Sequence, residues 1–309
     1  MRVLVFGASG QIGHFLLPLL CEAQVEVEAV TRQARAPMPG VGWTRMDLYG
    51  SGDVAQAPDV VFSVGPLDGL LAWLSRTRHR PGRVIAFSST SADTKQDSPD
   101  RAERVLAAQL RRSEEALVTH CDARGIGWTI LRPTLVWGCG MDQNLSRIAA
   151  LARRWRVLPL PRDAHGLRQP VHAQDLAICA WRAAGTDQSL GRRYDLPGGE
   201  QVSYTEMVHR TVGCLEPRGY LLRLPAWLFR GAVLAVSRLG MMSGLTSGML
   251  ERLRQDLVFS GAEAERDLDW SPRPFQPQAM HFQPPVTDMT AAMQHGTDAS
   301  TIRRSIAKR

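Results

Sequence analysis

A glycine-rich turn near the start of the chain has the spacing of a phosphate-binding loop. The first glycine of such a turn permits a sharp bend, the second lets the backbone approach a diphosphate, and the third lets helix and strand pack closely. The free N–H groups of the following helix then face the phosphates. A glycine turn without a ligand is the alternative. After an apolar run at residues 3–6 the candidate ligands are Gly7, Ser9, Gly10, Gln11, Ile12 and Gly13.

The end of the second apolar run decides which dinucleotide such a turn would hold. A carboxylate there would bind the ribose 2′-hydroxyl of NAD and repel a 2′-phosphate. The sequence has Thr31 and Arg32 instead, and a guanidinium attracts a phosphate. The sequence therefore predicts NADP(H) in preference to NAD(H). The alternative is that Arg32 is a solvated surface residue with no role in binding.

Arginines are concentrated between residues 147 and 168, where six of them accompany one acidic residue. This pattern is consistent with a small anionic substrate, for which Arg154 and Arg168 are candidate ligands, and equally with a solvated basic face. His172 is a third candidate for the substrate cleft. Because it precedes Asp175 at a predicted helix start, a packing or hydrogen-bonding role is the preferred interpretation for it.

Short apolar runs alternate with helical patterns over the first 135 residues, the predicted dinucleotide-binding domain. This alternation indicates right-handed βαβ units and an α/β fold, a Rossmann-type doubly wound parallel sheet. Residues 136–275 predict a smaller C-terminal substrate lobe interleaved with returning elements of the sheet, and residues 276–309 predict a mobile tail. The predicted strands lie at residues 3–6, 25–30, 60–64, 84–87 and 128–131, and the predicted helices at 101–120, 146–155, 175–184 and after the capping box at 203–206.

Several short motifs follow the glycine turn in order. They are Asp47-Leu48, Ser63-Val64-Gly65-Pro66, Phe87-Ser88-Ser89-Thr90, Thr129-Ile130-Leu131-Arg132-Pro133-Thr134 with Trp137-Gly138, the stretch 168–177, and Tyr194-Asp195-Leu196-Pro197-Gly198-Gly199. Together, over about residues 1–275, they resemble the extended and atypical branches of the short-chain dehydrogenase/reductase superfamily, the NAD-dependent epimerase/dehydratase-like proteins. Atypical members related to the accessory dinucleotide-binding subunit of respiratory complex I are especially similar in style.

The resemblance implies further cofactor ligands and one catalytic residue. Thr90 falls where the superfamily has a catalytic serine or threonine, and would hydrogen-bond a substrate carbonyl. The implied cofactor ligands are Asp47 and Leu48 at the adenine, Val64, Gly65 and Pro66 along the cofactor, Ser88 after the fifth strand, and Pro133 beside the nicotinamide.

The proton relay usual in this superfamily is absent from the sequence. Members generally have Tyr-x-x-x-Lys on the helix after the fifth strand, where the tyrosine moves a proton at the reacting carbon. None of the four tyrosines here has a lysine four residues later. Aligning Glu114 and Leu117 with a later Glu-x-x-Leu of the family places Leu106 and Leu110 near the two relay positions.

Three functions therefore stay open. The protein is a noncatalytic dinucleotide-binding sensor or accessory subunit, or an oxidoreductase with a rebuilt site for a small carbonyl or hydroxyl compound, or a sugar-nucleotide epimerase. In the second case hydride proximity and substrate orientation would supply most of the acceleration.

Composition indicates the compartment of the protein and excludes several classes of protein. The chain has 309 residues, a formal net charge of +7 and five widely spaced cysteines, which predict a reducing compartment, the cytoplasm. Signal-peptide, membrane-spanning, metal-binding and nucleic-acid-binding patterns are absent from the sequence. Arg223, Arg230 and Arg238 recur at helical spacing among apolar residues. A helix that caps the second lobe is the preferred interpretation, and a basic helix on an anionic membrane surface is the alternative.

Overall fold

The central strands of a seven-stranded parallel sheet are apolar runs buried on both faces, as expected where helices cover both sides. The computed structural model describes residues 1–229, 231 and 252–285. The strands of the sheet are β1 (Arg2–Phe6), β2 (Glu26–Thr31), β3 (Val41–Arg45), β4 (Val60–Ser63), β5 (Arg83–Phe87), β6 (Gly127–Pro133) and β11 (Arg192–Leu196). They stand in the order β11-β6-β5-β4-β1-β2-β3, and each neighbouring pair is parallel. The predicted Rossmann-type sheet is confirmed.

Helices cover both faces of this sheet. The helices are α1 (Gln11–Glu22), α2 (Leu67–Arg76), α3 (Ser91–Thr94), α4 (Arg101–Arg124), α5 (Leu145–Trp155), α6 (Ala173–Gly185), α7 (Tyr204–Gly213) and α8 (Ala262–Leu268). Alternate residues of β1 enter two separate cores: Val3 and Val5 pack with α1 and α6, and Leu4 and Phe6 pack with α2 and α4. Helix α1 continues through Pro18.

The second lobe is built around a third core and three two-stranded sheets. Helices α5 and α7 contribute Leu145, Ala149, Met207 and Val208 to this core. The strands of the small sheets are β7 (Val136–Trp137), β8 (Val157–Pro161), β9 (Leu167–Arg168), β10 (Val171–His172), β12 (Val202–Ser203) and β13 (Tyr220–Leu224). The sheets pair β10 with β7, β12 with β9, and β13 with β8.

Two sequence interpretations meet a different structure near the end of the chain. Arg223 lies in β13, so the spacing of the three arginines does not belong to one helix, and Arg230 and Arg238 lie outside the described residues. The segment predicted as a mobile tail begins packed, because Phe282 is 2% exposed and joins the third core. The rest of that segment, residues 286–309, lies outside the described residues. Where the chain is described, no helix is both long and apolar enough to cross a membrane.

Candidate dinucleotide site

The order of the strands reverses between β1 and β4. From β1 the sheet continues through β2 and β3 to one edge, and from β4 it continues through β5, β6 and β11 to the other. Such a reversal leaves a crevice outside the carboxyl ends of the two strands, where ligands bind in open α/β sheets. Gly7 follows β1 and Val64 follows β4, so the glycine turn borders this crevice.

Side chains do not fit at two of the three glycines of the turn. Gly7 has a φ of +73°, and a Cβ there would lie 2.6 Å from the Gly65 nitrogen. A Cβ at Gly13 would lie 2.3 Å from the Ala8 oxygen. At Gly10 the nearest atom to an added Cβ is the Gly7 oxygen, 3.0 Å away. A methyl group at Gly10 would therefore be tight against the turn but not excluded by it.

The first turn of α1 offers donors to that approach. Gly10 is the N-cap residue and supplies no capping side chain, and the first bond of the helix joins the His14 nitrogen to the Gly10 oxygen at 2.9 Å. The N–H groups of Gln11, Ile12 and Gly13 precede this bond and so lack helical partners. The Gln11 Nε2 is buried and finds no partner among the described residues. A bare cradle with amide donors at a positive helix terminus fits a diphosphate.

Thr31 and Arg32 lie at the end of β2, beside the same crevice. Thr31 is 7% exposed, and its Oγ1 bonds both the Gln33 oxygen, at 2.9 Å, and the Gln33 nitrogen, at 3.2 Å. These bonds fix the turn after the strand. Arg32 is exposed and its guanidinium makes no hydrogen bond or ion pair within the described parts of the chain, so it is free to meet an anion.

The loops after β3 and β4 line the same edge. Asp47 is exposed and its Oδ1 accepts from the Tyr49 nitrogen at 3.1 Å, while Leu48 is half-buried against the core formed by α2 and α4. The Val64 nitrogen donates to the Phe6 oxygen at 3.0 Å, which holds this loop against β1. A Cβ added at Gly65, the next residue, would lie 3.4 Å from the Gly7 Cα. The exposed Pro66 then serves as the N-cap residue of α2.

Thr90 and Ser88 follow β5 and bond to β6. The Ser88 nitrogen donates to the Leu131 oxygen at 2.8 Å. Thr90 is 5% exposed, and both its nitrogen, at 3.2 Å, and its Oγ1, at 3.3 Å, donate to the Pro133 oxygen. Pro133 itself is buried. The Thr90 hydroxyl would therefore have to exchange its backbone partner in order to reach a substrate.

A buried ionic cluster, which sequence reasoning missed, lies behind Ser88. The carboxylate of Glu114 is 2% exposed, and the Arg132 Nε donates to its two oxygens at 3.0 and 3.1 Å. The Ser88 hydroxyl also donates to Glu114, and the Arg193 Nε lies 3.7 Å away. Burial lowers the pKa of Arg132, but hydrogen bonds and the charge of Glu114 outweigh it and raise that pKa. Asp93 accepts from Arg132 at 3.1 Å.

The two positions aligned with the missing relay lie on α4. Leu106 is 40% exposed and Leu110 is half-buried, one helical turn apart. Neither side chain exchanges protons. Helical spacing is the sequence signal that could have identified Glu114, because this residue lies seven positions after the buried Ala107 and three before the buried Leu117. A carboxylate on a buried helical face requires a partner.

Arg168 is placed differently from a substrate ligand. It is 6% exposed, and its Nη1 donates to the Leu167 and Gln255 oxygens at 2.7 Å each. Its Nη2 donates to the Arg252 oxygen, and its guanidinium lies 5.6 Å from the centre of the Tyr204 ring. Its donors therefore serve the backbone of the chain. This placement favours a structural role over the predicted contact with substrate.

His172 is also engaged internally, whereas Arg154 is not. The His172 side chain caps α6, with Nδ1 accepting from the Gln174 nitrogen at 3.1 Å, and the residue is 3% exposed. Burial, with Arg273 and His281 nearby, lowers the pKa of His172 to about 3. The geometry supports the packing interpretation. Arg154 is exposed on α5 and makes no polar side-chain contact in the described chain.

Solved structures with the same fold include several sugar-nucleotide epimerases. The epimerase from Methanothermobacter thermautotrophicus has a TM-score of 0.71 at 16% identity, over 91% of this chain and 90% of its own. UDP-glucose 4-epimerase from Thermotoga maritima, with UDP-glucose, has 0.66 at 12%, over 96% and 100%. UDP-glucuronic acid 4-epimerase from Bacillus cereus, with UDP-glucuronic acid and NAD, has 0.64 at 16%, over 89% and 95%.

These similarities confirm, at the level of the fold, the resemblance noted from the sequence motifs. No protein-family model matches the sequence, and no curated protein matches it significantly. The fold is shared with solved UDP-glucose and UDP-galactose 4-epimerases.

Proposed function

We propose that this protein binds a nicotinamide dinucleotide, NADP(H) in preference to NAD(H), in the crevice between β1 and β4. The observation that carries the proposal is the cradle around Gly7, Gly10 and Gly13, where added side chains would meet backbone at 2.6, 3.0 and 2.3 Å. At Gly10 the 3.0 Å contact is tight but not prohibitive, so the packing of the protein accounts only in part for the glycine there. A diphosphate at the N-terminus of α1 accounts for the rest.

The residues around the crevice give the dinucleotide a direction. With the diphosphate at α1, the adenosine half extends towards β2 and β3, where Arg32 would meet the 2′-phosphate and Asp47 and Leu48 the adenine. The nicotinamide half extends towards Ser88 and Pro133 after β5 and β6. A bidentate contact between a guanidinium and a phosphate supports the preference for NADP(H).

Binding without turnover is the activity that the geometry supports best. A bound nicotinamide supplies hydride chemistry, but a carbonyl or hydroxyl substrate also needs a group that exchanges a proton. Leucines occupy both aligned relay positions on α4. The candidate hydroxyl, on Thr90, already donates to the Pro133 oxygen. A dinucleotide sensor or accessory subunit is the class that needs no relay.

A nucleotide-sugar enzyme is the second candidate, and the solved relatives favour it. The epimerases from Thermotoga maritima and Bacillus cereus are described with UDP-glucose and with UDP-glucuronic acid. In this chain the exposed Arg154 on α5 is free to meet such an anionic compound. An acid or base other than the tyrosine would then have to serve the reacting hydroxyl.

Gly10→Ala tests the cofactor site with little risk to the fold. The residue has a φ of −86°, which alanine adopts readily, and its Cβ would lie at the tight but tolerable distance of 3.0 Å from the Gly7 oxygen. We expect the NADPH affinity measured by calorimetry to fall at least about tenfold, because the methyl group occupies the approach of the diphosphate. Gly185→Ala is the matched control, since an added Cβ there meets nothing within 4 Å.

The outcomes separate the candidates. Equal NADPH affinities for the two alanine variants and the parent protein would place any dinucleotide elsewhere and refute the proposal. Tight NADPH binding without oxidation, across a panel of small carbonyl compounds and UDP-sugars, supports the sensor or subunit. Turnover of a UDP-sugar favours the second candidate.

A further inference from the structure

The two-stranded sheet of β8 and β13 has an open apolar face. Tyr220 pairs with Val157 and Leu222 pairs with Pro159 in this parallel sheet, so the four side chains share one face. Tyr220 is 63% exposed, Leu222 50% and Val157 44%. On the opposite face Leu158 is buried in the third core. No described residue covers the outward face.

The open surface continues beyond β13. Trp227 is 72% exposed and Leu228 is 41% exposed, whereas Phe229 is 6% exposed and anchors the segment. The Phe229 nitrogen donates to the Pro225 oxygen at 3.0 Å, which fixes this turn. We call this surface the β8–β13 face; it consists of the half-buried Pro159 and the exposed Val157, Tyr220, Leu222, Trp227 and Leu228.

Positive charge borders the β8–β13 face. Residues 152–165 and 216–228 contain six arginines against two acidic residues, a local net charge of +4 within a chain total of +7. Arg154, Arg156 and Arg218 are exposed, and their guanidinium groups have no polar partner among the described residues. One of the two acids, Asp163, is already paired with Arg254. The charge complement of this surface is therefore anionic.

We infer that the β8–β13 face docks the protein on an anionic lipid surface. Tryptophan and tyrosine favour the boundary between lipid and water, and apolar side chains beside them enter the acyl region. Arginines at the rim would meet the headgroups of anionic lipids. The sequence continues in the same character, because residues 225–250 include two arginines and no acidic residue. A second copy of the chain would instead bring like charges together.

Flotation of the full chain with lipid vesicles tests this inference. We expect binding to vesicles of phosphatidylcholine with about one-third phosphatidylserine, much weaker binding to phosphatidylcholine alone, and release by high salt. Combining Arg154→Gln, Arg156→Gln and Arg218→Gln should weaken the partition on the order of 100-fold, at about 1 kcal/mol for each arginine. Because these three side chains are exposed and unpartnered, we expect the substitutions to leave the fold intact.

A matched variant separates this face from the overall charge. Combining Arg78→Gln, Arg101→Gln and Arg192→Gln removes three exposed arginines elsewhere and gives the same net charge. Equal weakening by the two triple variants would overturn the inference, as would the absence of binding to the phosphatidylserine vesicles. Loss of binding restricted to the first triple variant supports it.

The apolar half of the face is tested independently by Trp227→Ser, compared with Trp227→Phe. We expect the serine variant to lose at least about tenfold in partition and the phenylalanine variant to lose less, because the phenyl ring still enters the interface. Sedimentation equilibrium without lipid covers the competing occupant. A dimer that Trp227→Ser dissociates would assign this face to a second copy of the chain and overturn the inference.

Discussion

The buried carboxylate of Glu114 provides the sharpest test of how the site is held. Glu114→Gln keeps the shape of the side chain but removes the charge that faces Arg132, whose side chain is 16% exposed. Breaking a buried ion pair from one side costs about 3–5 kcal/mol, because the remaining charge stays desolvated. Arg132 keeps Asp93 at 3.1 Å, so we expect a value at the low end, about 3 kcal/mol.

Urea unfolding measures this loss directly. With a slope of about 3 kcal/mol per molar urea, the midpoint of the Glu114→Gln variant should fall by about 1 M. Glu26→Gln is the control, because Glu26 also pairs with an arginine, Arg2, but its side chain is 65% exposed. Exposed ion pairs contribute about 0–1 kcal/mol. The expected contrast between the two variants is therefore at least about threefold in free energy.

Removing both charges of this ion pair should cost less than removing one. Replacing both Glu114 and Arg132 by leucine removes the two charges together, and such replacements often cost little. The double variant should therefore be more stable than Glu114→Gln alone. If Glu114→Gln and Glu26→Gln lost the same free energy of unfolding, the claim that burial makes this pair costly to break would be wrong.

Two further predictions concern the cofactor and acid pH. Arg32→Gln should lower the NADPH affinity in calorimetry by about 10- to 100-fold, the value of one charged hydrogen-bonded contact, and change the NADH affinity little; equal losses for both cofactors would contradict the role of Arg32. His172 has its pKa lowered to about 3 in the folded protein, so the unfolded chain takes up the proton first and the free energy of unfolding falls below about pH 6.5, by about 2 kcal/mol at pH 5. His172→Asn keeps a capping acceptor and should flatten the urea-unfolding profile between pH 7 and 5; a profile as steep as that of the parent protein would refute this assignment.

Local sequence was sufficient to predict the strands that are buried on both faces. The strands β1, β4 and β5 are buried on both faces and so appear as continuous apolar runs. The strand β8 contains two prolines and pairs with β13 far along the chain, and no local pattern indicates that partner. Pairing over such separations depends on the whole fold, which is why the small sheets of the second lobe were not predicted.

The candidate site divides in the same way. The glycine turn acts through backbone conformation within a few residues, so its spacing was visible in the sequence. Arg168 was predicted as a substrate ligand, but it donates instead to backbone oxygens, one of them on Gln255, which lies far away along the chain. Glu114 served only as an alignment marker, although its two principal partners, Ser88 and Arg132, lie on neighbouring strand ends. The spacing of residues along the sequence does not predict long-range contacts between charged groups.

The late arrival of β11 has a consequence for biosynthesis. This strand supplies the outer neighbour of β6, from Arg192 to Leu196. While the ribosome is still making the second lobe, β6 has an unpaired edge, and unpaired edges invite pairing with other chains. A nascent chain halted before residue 192, or a fragment cut at residue 135, would expose that edge permanently. Until β11 has left the ribosome, the free edge of β6 is therefore a place where the nascent chain is prone to pair with other chains.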